Sequence, residues 1–173
     1  MVLRKTPIKL TVKLIESFFL VIIYLYKQFL WRLLVSESTA NGSVIIVEDS
    51  APTKNILTHL FQKNGFAVHG FKNGLEAYDY LKKNVPKDLK LILSDIMMPE
   101  MGGLELVQKL REEKIAQEIP IILASAMTDK DAILKAKELG VASFIVKPIS
   151  AKKVIDVLKK MFPQVIFREM SST

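Results

Sequence analysis

Four short apolar runs in this sequence end at side chains that could take part in chemistry. These side chains are Glu48 and Asp49 after VIIV, Asp95 after LILS, Ser125 at the end of IILAS, and Lys147 after FIV. Like charges about 4 Å apart cost on the order of 4 kcal/mol at an effective dielectric near 20, so clustered carboxylates keep a proton or bind a cation. Hard oxygen ligands favour Mg²⁺. With an ammonium and a hydroxyl nearby, the set predicts phosphoryl transfer to an aspartate nucleophile.

This chemistry requires the four runs to lie side by side. Each is short, apolar and rich in β-branched residues, which is typical of a buried strand. From Val44 onward the sequence alternates strand and helix patterns five times. The predicted strands are 44–47, 66–71, 89–94, 121–125 and 143–146, and the predicted helices are 51–64, 74–83, 104–113, 128–140 and 150–162. Such alternation predicts an α/β fold with a doubly wound parallel sheet and helices on both faces. Ligands bind beyond the carboxyl ends of such strands, where the five side chains would meet.

Composition limits the other possibilities. The 173 residues leave room for one ordinary domain and an extension, and the absence of cysteine excludes disulfides and thiolate metal sites. The two histidines lack the spaced partners that a zinc or triad site needs. We divide the chain into an N-terminal hydrophobic segment and linker, 1–41, a globular domain, 42–162, and a C-terminal tail, 163–173. The lysines of the last predicted helix are interpreted as a solvated face, so no nucleic-acid partner is expected.

The same residues resemble a known family, the receiver domains of two-component response regulators. The matching stretches are VEDS at 47–50, SDIMMPEMGG at 94–103, ASA at 124–126 and FIVKP at 144–148. Any one of these positions taken alone would more often be a loop acid, a turn residue or a surface lysine. Their joint occurrence, in order and on the expected strands, makes the likeness specific. It implies a flavodoxin-like sheet with strand order 2-1-3-4-5 and a stand-alone, chemotaxis-receiver-like protein.

The resemblance also implies a role for each position. Asp95 would accept a phosphoryl group from a histidine kinase or a phosphotransfer protein. Mg²⁺ would be held by Asp49, by Glu48 mainly through water, by Asp95 and by the backbone carbonyl of Met97. The remaining positions are Ser125, which would hydrogen-bond the phosphoryl oxygen; Lys147, which would contact it, with a cis bond to Pro148; and Phe144, the aromatic switch. The protein would not be an enzyme beyond turnover of its own aspartyl phosphate.

Three residues would border the phosphoryl group, and one surface would carry the signal. The bordering residues are Met97, Ala126 and Met127. Because neither methionine can orient a water molecule, we hypothesise a longer-lived aspartyl phosphate than in relatives with polar groups there. A downstream protein partner would bind the face formed by the fourth helix, fifth strand and fifth helix, around Phe144.

The N-terminal segment 14–31 is apolar enough to raise the question of a membrane. Its 18 residues would form about 27 Å of helix, close to a hydrocarbon core of about 30 Å. However, four cations precede it, whereas its far end carries only Lys27 and Arg32, so the positive-inside tendency would export the receiver. Histidine kinase chemistry, by contrast, is cytoplasmic. Three interpretations stay open: an interfacial or reversed anchor, a helix that docks on another protein, or a start codon assigned too far upstream. We expect a cytoplasmic protein, free or attached to the inner face of the membrane.

Other functions fit the residues less well. A phosphatase of the haloacid dehalogenase type needs a second acid two residues after its nucleophile, where this chain has Met97. A nucleotide-binding Rossmann domain needs a glycine fingerprint after the first strand, where this chain has EDSAPT. The stronger rival is a non-phosphorylated receiver-like scaffold, which would normally have lost Asp95, Ser125 or Lys147.

Overall fold

The computed structural model describes residues 41–125 and 130–168. Within them, five strands alternate with five helices. The strands are β1 (Ser43–Val47), β2 (Ala67–Phe71), β3 (Leu89–Asp95), β4 (Ile121–Ser125) and β5 (Ser143–Val146). The helices are α1 (Ala51–Lys63), α2 (Gly74–Lys83), α3 (Gly103–Glu112), α4 (Lys130–Glu138) and α5 (Ala151–Met161). The predicted segment 14–31, the Thr128 start of the fourth helix, and residues Ala126 and Met127 lie outside the described residues.

The sheet is parallel throughout, with strand order β2-β1-β3-β4-β5. This order confirms the predicted doubly wound, flavodoxin-like fold. The reversal of strand order lies between β1 and β3, so the loops after these two strands diverge and leave a crevice at the carboxyl edge. Glu48 and Asp49 follow one of these strands, and Asp95 ends the other.

Alternation along the strands divides the apolar residues between two cores. Ile45 and Val47 of β1 face one core, whereas Val44 and Ile46 face the other. The first core is completed by α2, α3 and Ala136 of α4, and the second by α1 and α5, through residues such as Leu106 and Leu158. Both faces of the central strands are therefore buried, which explains why their sequences are continuously apolar rather than alternating.

Residues after α5 return to the second core. Phe167 is 8% exposed and stacks on Phe66, with ring centroids 6.3 Å apart. The buried side chain of Asn64 accepts a hydrogen bond from the Arg168 N–H at 2.6 Å and donates one to the Arg168 carbonyl at 3.4 Å. The carbonyl of Asn64 in turn accepts a hydrogen bond from the Asn41 side chain at 2.8 Å. The turn at the end of α1 thus binds both ends of the described domain.

No helix within residues 41–125 and 130–168 has the length and apolar character needed to cross a membrane.

Candidate functional site

Strand ends bring the predicted side chains together. β1 stops before Glu48, whose N–H donates to the Phe71 carbonyl at 3.1 Å, and β3 ends at Asp95. Beside β3, the register pairs Asp95 with Ala124, which places Ser125 one residue further along β4. Lys147 directly follows β5, and its N–H donates to the Ser125 carbonyl at 2.7 Å. The sheet therefore supplies the site from four strands that are consecutive neighbours.

The three acids form one cluster. Glu48, Asp49 and Asp95 each offer a carboxylate oxygen, and these oxygens lie within 4.8 Å of one another. Glu48 is 1% exposed and Asp95 4% exposed, whereas Asp49 is exposed to solvent. An all-oxygen set with one solvent-facing member fits Mg²⁺, which keeps several waters in its shell.

Lys147 is the cation of the cluster. Its Nζ lies 2.5 Å from Asp95 Oδ2 and 3.4 Å from Glu48 Oε2, and its side chain remains 26% exposed. The 2.5 Å contact is a short, charge-assisted hydrogen bond. One lysine thus partly neutralises two buried carboxylates that would otherwise repel each other.

Burial and charge shift the pKa values of two of these groups in the same direction. Burial raises the pKa of Glu48, and the negative charge of Asp95 adds to the rise, against the opposing effects of the Ser50 N–H and Lys147. Burial by itself would lower the pKa of Lys147, but the hydrogen bond to Asp95 and the charges of Asp95 and Glu48 raise it. The charged form of Lys147 is therefore favoured, whereas the charged form of Glu48 is disfavoured, a cost that a bound cation would reduce.

At the end of the loop after β3, the backbone of Gly103 lies against the backbone of Asp95. A Cβ at Gly103, the first residue of α3, would lie 2.2 Å from the Asp95 carbonyl oxygen, so no side chain fits there. Gly103 N–H also donates to the Ile96 carbonyl at 3.1 Å. The start of α3 is thereby pressed against the backbone of the phosphoacceptor candidate.

The other predicted residues occupy several positions around this cluster. Met97 is 71% exposed, and its N–H lies 3.4 Å from Asp95 Oδ1. Ser125 is 8% exposed, and Phe144 is half-buried against the first core. The Lys147-Pro148 bond is cis, as the resemblance implied.

Three contributors to the site were missed from sequence. Ser50 donates its backbone N–H to Glu48 Oε1 at 3.1 Å, and Lys153 donates its ammonium to the carbonyls that flank Lys147. The third is Gly103, for which the Gly-Gly pair after a Pro-containing loop was an available signal. The Lys153 contacts depend on how α5 is placed, and no local pattern indicates them.

Comparison with known proteins agrees with this fold. Residues 44–159 match the family model of the response regulator receiver domain. The chain is 36% identical over 124 residues to a chemotaxis protein CheY homolog of Campylobacter jejuni, an alignment that covers 71% of this chain and 91% of the relative. It is 31% identical over 123 residues to sporulation initiation phosphotransferase F of Bacillus subtilis, covering 71% of this chain and 95% of that protein.

Solved structures give the same result. The receiver domain of a signal transduction histidine kinase from Syntrophus aciditrophicus superposes with a TM-score of 0.61 at 32% identity, over 76% of this chain and 97% of that one. Chemotaxis protein CheY4 of Vibrio cholerae superposes with a TM-score of 0.61 at 26% identity, over 72% of this chain and 98% of that one. The chain therefore carries a doubly wound signalling domain, and it belongs to the response regulator receiver family.

Proposed function

We propose that this protein is a Mg²⁺-dependent receiver that accepts a phosphoryl group on Asp95 and passes the signal to a partner protein by a conformational switch. The observation that carries the proposal is the geometry around Asp95. This buried carboxylate shares a cluster with two further acids and touches the only lysine that reaches the cluster among the described residues.

The transfer needs a donor and a leaving group. A histidine kinase or a phosphotransfer protein would present a phosphohistidine, whose P–N bond breaks as an O–P bond forms on an Asp95 oxygen. The imidazole leaves and takes up a proton. Glu48, Asp49, Asp95 and the Met97 carbonyl would hold Mg²⁺, which would neutralise charge on the phosphoryl oxygens when bound.

Lys147 and Ser125 would act on the phosphoryl group from the side of β4 and β5. In the present geometry the Lys147 ammonium is bound to the carboxylate oxygen Oδ2 of Asp95. After transfer it would pair with a phosphoryl oxygen, and the Ser125 hydroxyl would donate a hydrogen bond to another.

Movement of Ser125 would be transmitted through Phe144, because Leu123 in the same strand pairs with Phe144 in the β4–β5 register. The side chain of Phe144 is half-buried against the first core. The face formed by α4, β5 and α5, which exposes Leu134 and Val146, would then bind the downstream partner. We place this signalling in the cytoplasm, where histidine kinases hold their phosphoryl groups.

The test is to incubate the full-length chain with acetyl phosphate and Mg²⁺ and to measure its intact mass. We expect the mass of one phosphoryl group to be added, and the addition to disappear when Mg²⁺ is removed with a chelator. Asp95→Asn should abolish it, whereas Asp79→Asn, at an exposed position on α2, should leave it unchanged. Failure of the wild-type chain to take up the group would favour the non-phosphorylated scaffold.

A further inference from the structure

Lys153 lies in the first turn of α5, where a positive charge is electrostatically unfavourable. Ser150 caps the helix by accepting a hydrogen bond from the Lys153 N–H at 3.3 Å, so Lys153 stands at the third helical position. A glutamate or glutamine at that position would complete a capping box, and a cation near a helix N-terminus is opposed by the helix dipole. The first turn of α5 contains no acidic residue that would offset the charge. Some other contact must favour the ammonium.

That contact is a pair of carbonyl groups on either side of Lys147. Lys153 Nζ donates to the Val146 carbonyl at 3.0 Å and to the Pro148 carbonyl at 3.1 Å. Both are charge-assisted hydrogen bonds. They connect the start of α5 to the backbone just before and just after Lys147.

One peptide group is consequently held from both sides. The peptide between Val146 and Lys147 donates its N–H to the Ser125 carbonyl at 2.7 Å, while its carbonyl accepts from Lys153 at 3.0 Å. The N–H and the carbonyl of a trans peptide point in opposite directions, so the two bonds fix the plane between β4 and α5. Among the described strands β5 lies at the edge of the sheet, and no strand of residues 41–125 and 130–168 pairs with this carbonyl on its outer side.

Fixing this plane fixes the direction in which the Lys147 side chain leaves the backbone. From there its ammonium reaches Asp95 Oδ2 at 2.5 Å and Glu48 Oε2 at 3.4 Å. A small rotation at the Lys147 backbone would be amplified along four methylene groups, and displacements of about 1 Å in a positioned group can reduce a reaction rate by about 100-fold.

We propose that Lys153 is a positioning residue for Lys147, and that it holds the backbone of Lys147 so that the ammonium meets the group carried by Asp95. The inference rests on the proposed function of Asp95 for its effect on phosphorylation. The clamp itself, from Lys153 Nζ to the two carbonyls, is independent of that function and can be measured separately.

The first measurement is amide hydrogen exchange in the full-length chain, read at Lys147. Lys153→Met keeps the apolar stem and removes the ammonium, and we expect the Lys147 amide to exchange about tenfold faster, as expected for loss of about 1.4 kcal/mol of local stability. Lys152→Met is the matched control. Lys152 is adjacent to Lys153 and is also exposed, and its replacement removes the same charge from the same helix. Exchange at Lys147 that stays at the wild-type rate in Lys153→Met would overturn the clamp.

The second measurement is the rate of labelling by acetyl phosphate with Mg²⁺, in which the bond from phosphorus to the acetyl oxygen breaks, an Asp95 O–P bond forms and acetate leaves. We expect labelling about tenfold slower in Lys153→Met, unchanged in Lys152→Met, and largely restored in Lys153→Arg, whose guanidinium can also donate to two carbonyls.

Lys153→Gln separates positioning from helix stability. Glutamine would complete the capping box, so α5 and the whole fold should be as stable as the wild type or more so, while labelling slows. Labelling at the wild-type rate in both Lys153→Gln and Lys153→Met would contradict a positioning role. If the wild-type chain is not labelled at all, the proposed function fails, and hydrogen exchange alone decides whether the clamp exists.

Discussion

The ammonium of Lys147 lies 2.5 Å from a carboxylate oxygen of Asp95, although the two residues are 52 positions apart in the chain. β3 and β5 are separated by β4, so the contact spans one intervening strand. It is possible because Lys147 follows the end of its strand and has a long side chain. The contact joins Asp95, which would receive the phosphoryl group, to Lys147, whose ammonium would then bind a phosphoryl oxygen.

Removal of Lys147 should destabilise the protein. In Lys147→Met, Glu48 and Asp95 keep their burial but lose their shared cation. We expect the free energy of unfolding to fall by about 2 kcal/mol, less than the ~3–5 kcal/mol of a fully buried pair, because Lys147 is partly exposed. Urea denaturation without divalent cations measures the loss. The control Lys152→Met should unfold like the wild type, and an equal loss in both variants would contradict this explanation.

Mg²⁺ should stabilise the folded chain by relieving repulsion among the three acids. At a concentration of about 100 times the dissociation constant, a ligand that binds only the folded state adds about 2.7 kcal/mol. Thermal denaturation with and without Mg²⁺ should show the increase in the wild type and a much smaller one in Asp49→Asn. An Asp79→Asn chain should behave like the wild type. If Mg²⁺ protects Asp49→Asn equally well, Asp49 is not a ligand.

The exposed thioether of Met97 should lengthen the lifetime of the aspartyl phosphate. Its side chain is 71% exposed beside Asp95 and cannot orient an attacking water molecule. We expect Met97→Asn to shorten the lifetime about tenfold, below the ~10²-fold of a well-placed general base. The decay of the labelled protein after removal of acetyl phosphate measures it. Ile166→Asn replaces an exposed apolar residue outside the cluster and should not alter the decay.

Phe167 should contribute to stability although it follows the last helix. Loss of its buried ring in Phe167→Ala is expected to lower the free energy of unfolding by about 3 kcal/mol. The neighbouring Ile166 is 89% exposed, so Ile166→Ala should change it by less than about 0.5 kcal/mol. Urea denaturation compares the two variants. Equal stability of both would show that the ring does not pack on Phe66 in solution.

Much of the fold could be predicted because the determining signals are local. The apolar runs of β4 and β5 are bounded by polar and glycine-containing segments, and both strands have the predicted ends. β3 extends one residue further, to Asp95, because Asp95 still pairs with Ala124. Convergence of the acids followed from parallel strands, whose carboxyl ends share one edge.

The features that could not be predicted depend on contacts between distant segments. Glu48 and Asp49 are adjacent acids, and only the folded backbone makes one of them buried and the other exposed. Lys153 has the sequence pattern of a solvated lysine, and its two carbonyl partners are found only when α5 is placed beside β5. Phe167 follows the last helix in a short tail with no helix or strand pattern, yet its ring packs in the second core.

The Asn64 turn has a consequence for how the domain could be rearranged. Since Asn41 and Arg168 both bind that turn, the entrance and exit of the described domain lie close together, at the edge of the sheet away from Asp95. A short peptide could therefore join them, and new ends could be opened in an exposed loop elsewhere, to give a circular permutant with the same packing. Residues 41 and 168, where the rest of the chain is attached, thus share the side of the domain opposite the strand ends that carry the acids.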